Sequence, residues 1–178
     1  MSKKIKNSTI HTGALGESIA VTELLWNGWA PANLNQTISN SPNVDLLAIK
    51  ENTKVSIQVK TSGENSKNML QVGNGVKDKI FNTKEGPKAD FIVFVRILNI
   101  YEHECYVVPV KEAERVAQLT MHDWINTNKR DGSKREGNFP LCIRFEPNKN
   151  RLDVSNYKEK WSKYLSAWHL LEGAVKDN

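Results

Sequence analysis

The chain has no apolar run approaching the ~18 residues that a helical membrane span requires, so a membrane-spanning helix is not expected. Cysteine is nearly absent. Cys105 and Cys142 each sit inside an apolar stretch, where a thiol serves as a small hydrophobe, and no disulfide framework follows from two of them. There is no Cys-x-x-Cys, and His11, His103, His122 and His169 lack paired ligand spacing, which argues against zinc. Gly-x-Ser-x-Gly and the P-loop are missing, and Gly73-Asn74-Gly75 is too short to cradle phosphate and reads as a turn. No internal repeat or heptad seam is present. The opening Met1-Ser2-Lys3-Lys4-Ile5-Lys6 is basic with no apolar segment behind it, so it is not a secretory signal, and a cytoplasmic protein without a membrane partner is expected.

What is present suits a single globular domain. The length of 178 residues allows one domain with a substantial core, and the 39% hydrophobic and 25% charged content is ordinary for a folded chain. Residues 1–12 read as a flexible basic arm and 13–178 as the domain, with a core over 13–110 and a helical and strand elaboration over 111–178. The net charge of +5 favours a polyanionic partner. Between Lys129 and Arg151 seven Lys or Arg stand against three acids, a run suited to tracking phosphates as well as to a solvated loop. Lys67, Lys77, Lys79, Lys129, Arg130, Lys134 and Arg135 are the candidates for nucleic-acid contact.

Periodicity supplies the element order. Ala20, Val21 and Leu24 recur at helical spacing between Gly13 and Gly28, and residues 29–42, rich in Asn, Ser and Pro, read as a connecting loop. Strands are expected over Val44–Ile49 and Val55–Lys60, joined as a hairpin through residues 50–54. The Gly/Asn/Ser/Lys-rich stretch to about Asn82 is a loop with one short apolar run at Met69–Val72. Ala89–Ile100 has the near-continuous apolar character of a central strand buried on both faces. Cys105–Val110 is another strand, ended by Pro109, followed by a helix over Lys111–Asn126 with Ala113, Val116, Ala117 and Trp124 inward. Leu141–Phe145 is a late strand. Trp161, Tyr164, Leu165, Trp168 and Leu171 are spaced as one face of a helix over about 154–175, and that face reads as core. The fold class is α/β, a central mixed sheet flanked by helices.

Four polar residues stand out against this frame: Glu17, Asp45, Gln58 and Lys60. A hairpin turning at residues 50–54 sets Asp45 opposite Val59 or Lys60, and strand alternation puts Gln58 and Lys60 on one face with Val55, Ile57 and Val59 on the other. Glu17 leads the stripe of Ala20, Val21 and Leu24, so a helix packed across the hairpin brings it toward Asp45. Two carboxylates so placed repel unless a cation lies between them. A hard ion such as Mg²⁺, with Mn²⁺ as a substitute, takes oxygen ligands, which Asp45, the Gln58 amide, the Val59 carbonyl and Glu17 offer. Such an ion polarises a phosphate and lowers the pKa of bound water, and Lys60 offsets the growing charge.

The order of a Glu-bearing first helix, an Asp heading strand two and an x-x-Lys closing strand three resembles the PD-(D/E)XK superfamily of restriction-endonuclease-like nucleases. Gly13-Ala14-Leu15-Gly16-Glu17, Val44-Asp45-Leu46-Leu47-Ala48-Ile49 and Ile57-Gln58-Val59-Lys60-Thr61-Ser62 look most like its Holliday-junction-resolvase-like and related small endonuclease branches. The resemblance covers residues 13–61 and adds nothing specific to 111–178. It implies a Mg²⁺-dependent endonuclease acting on DNA, including branched or structured DNA, with a homodimer suited to symmetric substrates. Gln58 departs from the usual Glu or Asp; a neutral oxygen lowers metal affinity. The rival readings are a catalytically weak nucleic-acid-binding module of the same fold and a protein-interaction or immunity-type domain docking through its aromatic C-terminal face.

Overall fold

The structure is a computed structural model that describes residues 9–36, 44–63, 69–75, 89–135, 139–144 and 161–175. A mixed five-stranded sheet forms its centre, in the order β1 (Ala30–Asn33), β2 (Leu46–Lys50), β3 (Thr53–Ser62), β5 (Phe91–Asn99) and β6 (Glu102–Pro109). Only the β3–β5 pair is parallel. A parallel pair needs a crossover, and the chain between them carries β4 (Met69–Gly75), which pairs antiparallel with β7 (Phe139–Arg144) in a separate two-stranded sheet. Helix α1 (Thr9–Trp26) lies on one face of the main sheet and α2 (Val110–Asn126) on the other.

Alternation along the strands sorts the core into these two layers. Val55, Ile57 and Val59 of β3 join Val93 and Val95 of β5, Val107 of β6 and Ala20 and Leu24 of α1 in one cluster. Ile92, Phe94, Tyr106 and Val108 face the other way, onto Ala113 and Val116 of α2. Both faces of β5 are therefore covered, which is why its sequence is apolar without a break. Asp90 clamps its start: one carboxylate oxygen accepts from both the backbone N–H and the hydroxyl of Ser56 at 2.7 Å. Toward the far end of the same face, Arg96 donates to Glu104 at 2.9 Å and the Tyr106 hydroxyl donates to the same oxygen at 2.7 Å. Burial first, and then the Glu104 carboxylate, hold the Tyr106 phenol above its usual pKa.

The C-terminal segment departs from the expected single helix. Over the described residues 161–175 it is helical at Trp161 and Ser162, turns through Ser166 at φ 49°, and forms a 3₁₀ segment over Trp168–Val175, while 154–160 lie outside the described residues. The reason is edge pairing. Val107 donates to the Tyr164 carbonyl and Ser166 to the Cys105 carbonyl, so the segment lies along the exposed side of β6. Trp161 and Tyr164 then fall into the α2-side cluster while Trp168 and Leu171 fall into the α1-side cluster. The aromatic residues are core, as their spacing suggests, but they serve two faces, and Leu165 points outward. Lys50 ties this segment back through a 2.6 Å contact to Glu172, whose carboxyl it holds below the usual range.

Other boundaries move as well. Helix α1 begins at Thr9, inside the segment expected to be an arm, and residues 1–8 lie outside the described residues. The 29–42 segment, read as a loop, contains β1 and a 3₁₀ turn over Leu34–Gln36. The apolar run at Met69–Val72 and the late strand at 141–145 are β4 and β7, while the side chains of Ala117, Trp124 and Cys142 lie outside what is described. No described helix is long and apolar enough to cross a membrane.

Cys105 is buried under α1, and desolvation, with Glu23 nearby, pushes its thiol up to about 12. Its thiolate is therefore disfavoured in the fold up to that pH, and whatever stability this protonation linkage contributes is present below pH 9.0 and lost as pH rises toward 12. In a Cys142→Ser variant at pH 8, a thiol reagent is expected to leave the native protein unlabelled over hours and to label it within minutes in urea. Equal rates in both conditions contradict this packing.

Candidate functional site

The site is made where two strands part. Leu46 pairs with Ile57 and Lys50 with Thr53, so the hairpin turns on Glu51-Asn52 alone and runs one to two residues out of the expected register. Asp45 is thus level with Gln58 rather than with Val59 or Lys60. Its backbone N–H still donates to the Ile57 carbonyl at 2.9 Å, and there the ladder ends. The next β3 donor on that edge, the N–H of Val59, is taken by the Asp45 side chain instead: Oδ2 accepts it at 2.7 Å. A buried N–H left without a strand partner must find another acceptor, and a carboxylate gives a short, strong bond. In an extended strand N–H and C=O leave the same edge, so the Val59 carbonyl faces the same notch.

Glu17 reaches the notch from α1 because the helix can lie against β3 at Gly16. A Cβ on Gly16 would fall 1.8 Å from Thr61 Oγ1, 2.7 Å from Cγ2 and 2.8 Å from Cβ of the same residue. Rotating Thr61 does not relieve the last of these. The glycine before Glu17 is therefore required by the closeness of helix and strand, one residue from Lys60 on the strand side.

Two asparagines join the acids. Asn35 Nδ2 donates to Glu17 Oε1 and to Asp45 Oδ1, both at 3.0 Å, and Asn33 Nδ2 donates to Glu17 Oε2 at 3.0 Å. The Asn33 side-chain oxygen accepts the Asn35 backbone N–H at 2.9 Å, and Leu34 N–H donates to the Asp45 carbonyl at 2.9 Å. Each carboxylate oxygen thus receives one N–H and keeps a lone pair. Neither asparagine was singled out from the sequence. Their signal was their place in a segment rich in Asn, which usually marks turns.

Gln58 and Lys60 flank Val59 on β3 and take the opposite face, in register with Ile92 and Phe94 of β5. Both are partly exposed, and among the described residues no hydrogen bond or ion pair engages either side chain. The fold brings Glu17 and Asp45 together through Asn35 and sets Gln58 level with Asp45. Among the described residues no cluster of three or more His, Cys, Asp or Glu exists. The oxygens that meet at the notch are the two carboxylates and the Val59 carbonyl, hard donors that fit a hard divalent ion and not a soft one, with Gln58 the neighbouring residue on β3. Of the candidate nucleic-acid residues, Lys67, Lys77 and Lys79 lie outside the described residues. Lys129, Arg130, Lys134 and Arg135 stand on one ordered loop, closed by the Lys129 N–H to Ser133 carbonyl bond at 2.9 Å with Gly132 at φ 82°. Asp131 caps that turn through Ser133, which holds its carboxyl below the usual range.

The chain shares its fold with an endonuclease. One similar solved structure is that of a bacterial homing endonuclease, I-Ssp6803I, at 19% identity with a TM-score of 0.52, covering 94% of each chain. No family model matches the chain, and no curated protein matches it. At that identity the likeness shows the architecture alone, and with 94% of the chain covered it reaches beyond the motif-bearing residues.

The Gly16 contact is testable in isolation. Gly16→Ala is expected to cost about 2 kcal/mol in urea unfolding, within the range for overpacking. Adding Thr61→Gly, which removes every atom in the clash, is expected to recover about 1 kcal/mol of that loss as a coupling energy. Strict additivity of the two substitutions contradicts the close approach.

Proposed function

We propose that the protein is a divalent-metal-dependent endonuclease that hydrolyses DNA phosphodiester bonds, a PD-(D/E)XK-type nuclease with Gln in the second ligand position. The observation that carries the reading is the meeting of Glu17 and Asp45, from separate elements, at the notch where Gln58-Val59-Lys60 begins to outrun β2. The fold shared with a homing endonuclease supports it. Mg²⁺ or Mn²⁺ would be held by Asp45, Gln58, the Val59 carbonyl and Glu17. When bound, such an ion supplies Lewis-acid polarisation of the scissile phosphate and a more acidic water.

The chain's own residues supply orientation and charge. The Val59 N–H fixes Asp45, and Asn33 fixes Glu17, so neither acid must be ordered when substrate arrives. Lys60 stands two residues beyond Gln58, its ammonium unpaired among the described residues, and can offset negative charge growing on the phosphate. The loop of Lys129, Arg130, Lys134 and Arg135 carries the charge for backbone contact, and the net charge of +5 has the matching sign.

Incubating linear, supercoiled and branched DNA with Mg²⁺ or Mn²⁺ tests this directly. Wild type is expected to cleave at least one form, and Asp45→Ala and Lys60→Ala to lose about 100-fold or more in rate, the scale of removing one electrostatic stabiliser. Gln58→Glu is expected to lower the metal concentration needed for half-maximal rate. Lack of cleavage by all proteins, with binding that weakens steeply in salt, leaves the nucleic-acid-binding module; no salt-dependent binding leaves the protein-interaction or immunity-type domain. For the loop, Lys129→Ala, Arg130→Ala and Lys134→Ala together are expected to reduce the log–log salt slope by about 0.9 for each phosphate contact removed. An unchanged slope removes the loop from the interface.

A further inference from the structure

The position of Asn35 between the two acids calls for a physical account, since nothing in strand or helix formation requires it. Its amide nitrogen offers two hydrogens, and both are used, one on Glu17 Oε1 and one on Asp45 Oδ1 at 3.0 Å each. Two partial positive charges placed between two carboxylates do what a cation does there, on a smaller scale. The amide nitrogen has no lone pair to give a metal, so it cannot act as a ligand from where it stands.

The backbone beneath it is held without the help of that amide. Asn35 N–H is bound by the Asn33 side chain at 2.9 Å, and Leu34 N–H by the Asp45 carbonyl at 2.9 Å. Glu17 is retained by Asn33 and Asp45 by Val59 when Asn35 lets go, so the side chain can leave while the acids stay in place.

Resting on the metal-dependent reading above, we propose that Asn35 is a positioning residue that substitutes for the cation in the metal-free protein and competes with it. Its amide keeps Glu17 and Asp45 together before a divalent ion arrives and withdraws as the ion takes the same oxygens. A residue that merely supports the site has the opposite signature, because removing a support weakens metal binding.

The test is calorimetric titration of the full chain with MnCl₂ alone, for wild type, Asn35→Ser and Asn35→Ala, with thermal unfolding in EDTA and in saturating Mn²⁺. Serine keeps one donor and serves where the alanine variant fails to fold. In EDTA the Tm is expected to fall in the order Asn, Ser, Ala. Mn²⁺ affinity is expected to rise in that order, reaching about tenfold for Ala, equivalent to about 1.4 kcal/mol, and the Tm gap to close in saturating Mn²⁺. Metal uptake by the variants with none by wild type also supports the competition. If wild type takes up Mn²⁺ and the variants bind it no more tightly, the competition is overturned while the metal-dependent reading stands. If no protein takes up Mn²⁺, both fall together.

Discussion

The hydrogen bond from the Val59 N–H to Asp45 Oδ2 is the contact on which the rest of the site depends. Strand β2 leaves β3 at Asp45, and a donor in the middle of β3 loses its ladder partner there. Satisfying it with a side chain turns a break in the sheet into a fixed carboxylate, and the same divergence leaves the Val59 carbonyl facing the opening. The Leu34 bond to the Asp45 carbonyl brings in the end of β1, and with it Asn33 and Asn35. Glu17 completes the ring because Gly16 lets α1 sit against Thr61. One local choice of acceptor thus organises parts of α1, β1, β2 and β3.

The surrounding core explains why such an arrangement holds. Residues on both sides of the notch sit over fully buried apolar side chains: Leu46 and Ile57 on the hairpin, Ala20 and Leu24 on the helix. Burial of each large side chain contributes on the order of 2 kcal/mol, which is enough to offset setting two acids close together. The C-terminal segment adds to both layers by crossing the edge of β6, with Trp161 on one side and Trp168 on the other. The polar residues of the site thus lie at the end of a sheet whose middle is closed on both faces, a sensible division between stability and chemistry.

Much of this was legible in the sequence because strand alternation is strict. Val55, Ile57 and Val59 against Ser56, Gln58 and Lys60 fixes which face each takes, and the all-apolar 91–95 stretch marks the central strand. The exact register was not, since a turn can close on two residues or five, and Glu51 adopts φ 51°, a conformation its type does not advertise. Asn33 and Asn35 were hidden for a different reason: asparagine is common in loops, and only the fold shows which ones meet a carboxylate. The 3.6-residue spacing of the C-terminal aromatics correctly implied burial, but one helix face and two sides of a sheet edge give the same spacing. Edge pairing with β6, which no local pattern encodes, decided between them.

The proposed divalent-metal site lies in the notch between β2 and β3. A crystal of the full chain soaked in Mn²⁺ tests it most directly through anomalous scattering. A peak is expected within bonding distance of Asp45 and the Gln58 amide oxygen, with the Asn35 amide no longer between Glu17 and Asp45. Absence of a peak there, with Asn35 still bridging the two acids, contradicts the proposed site.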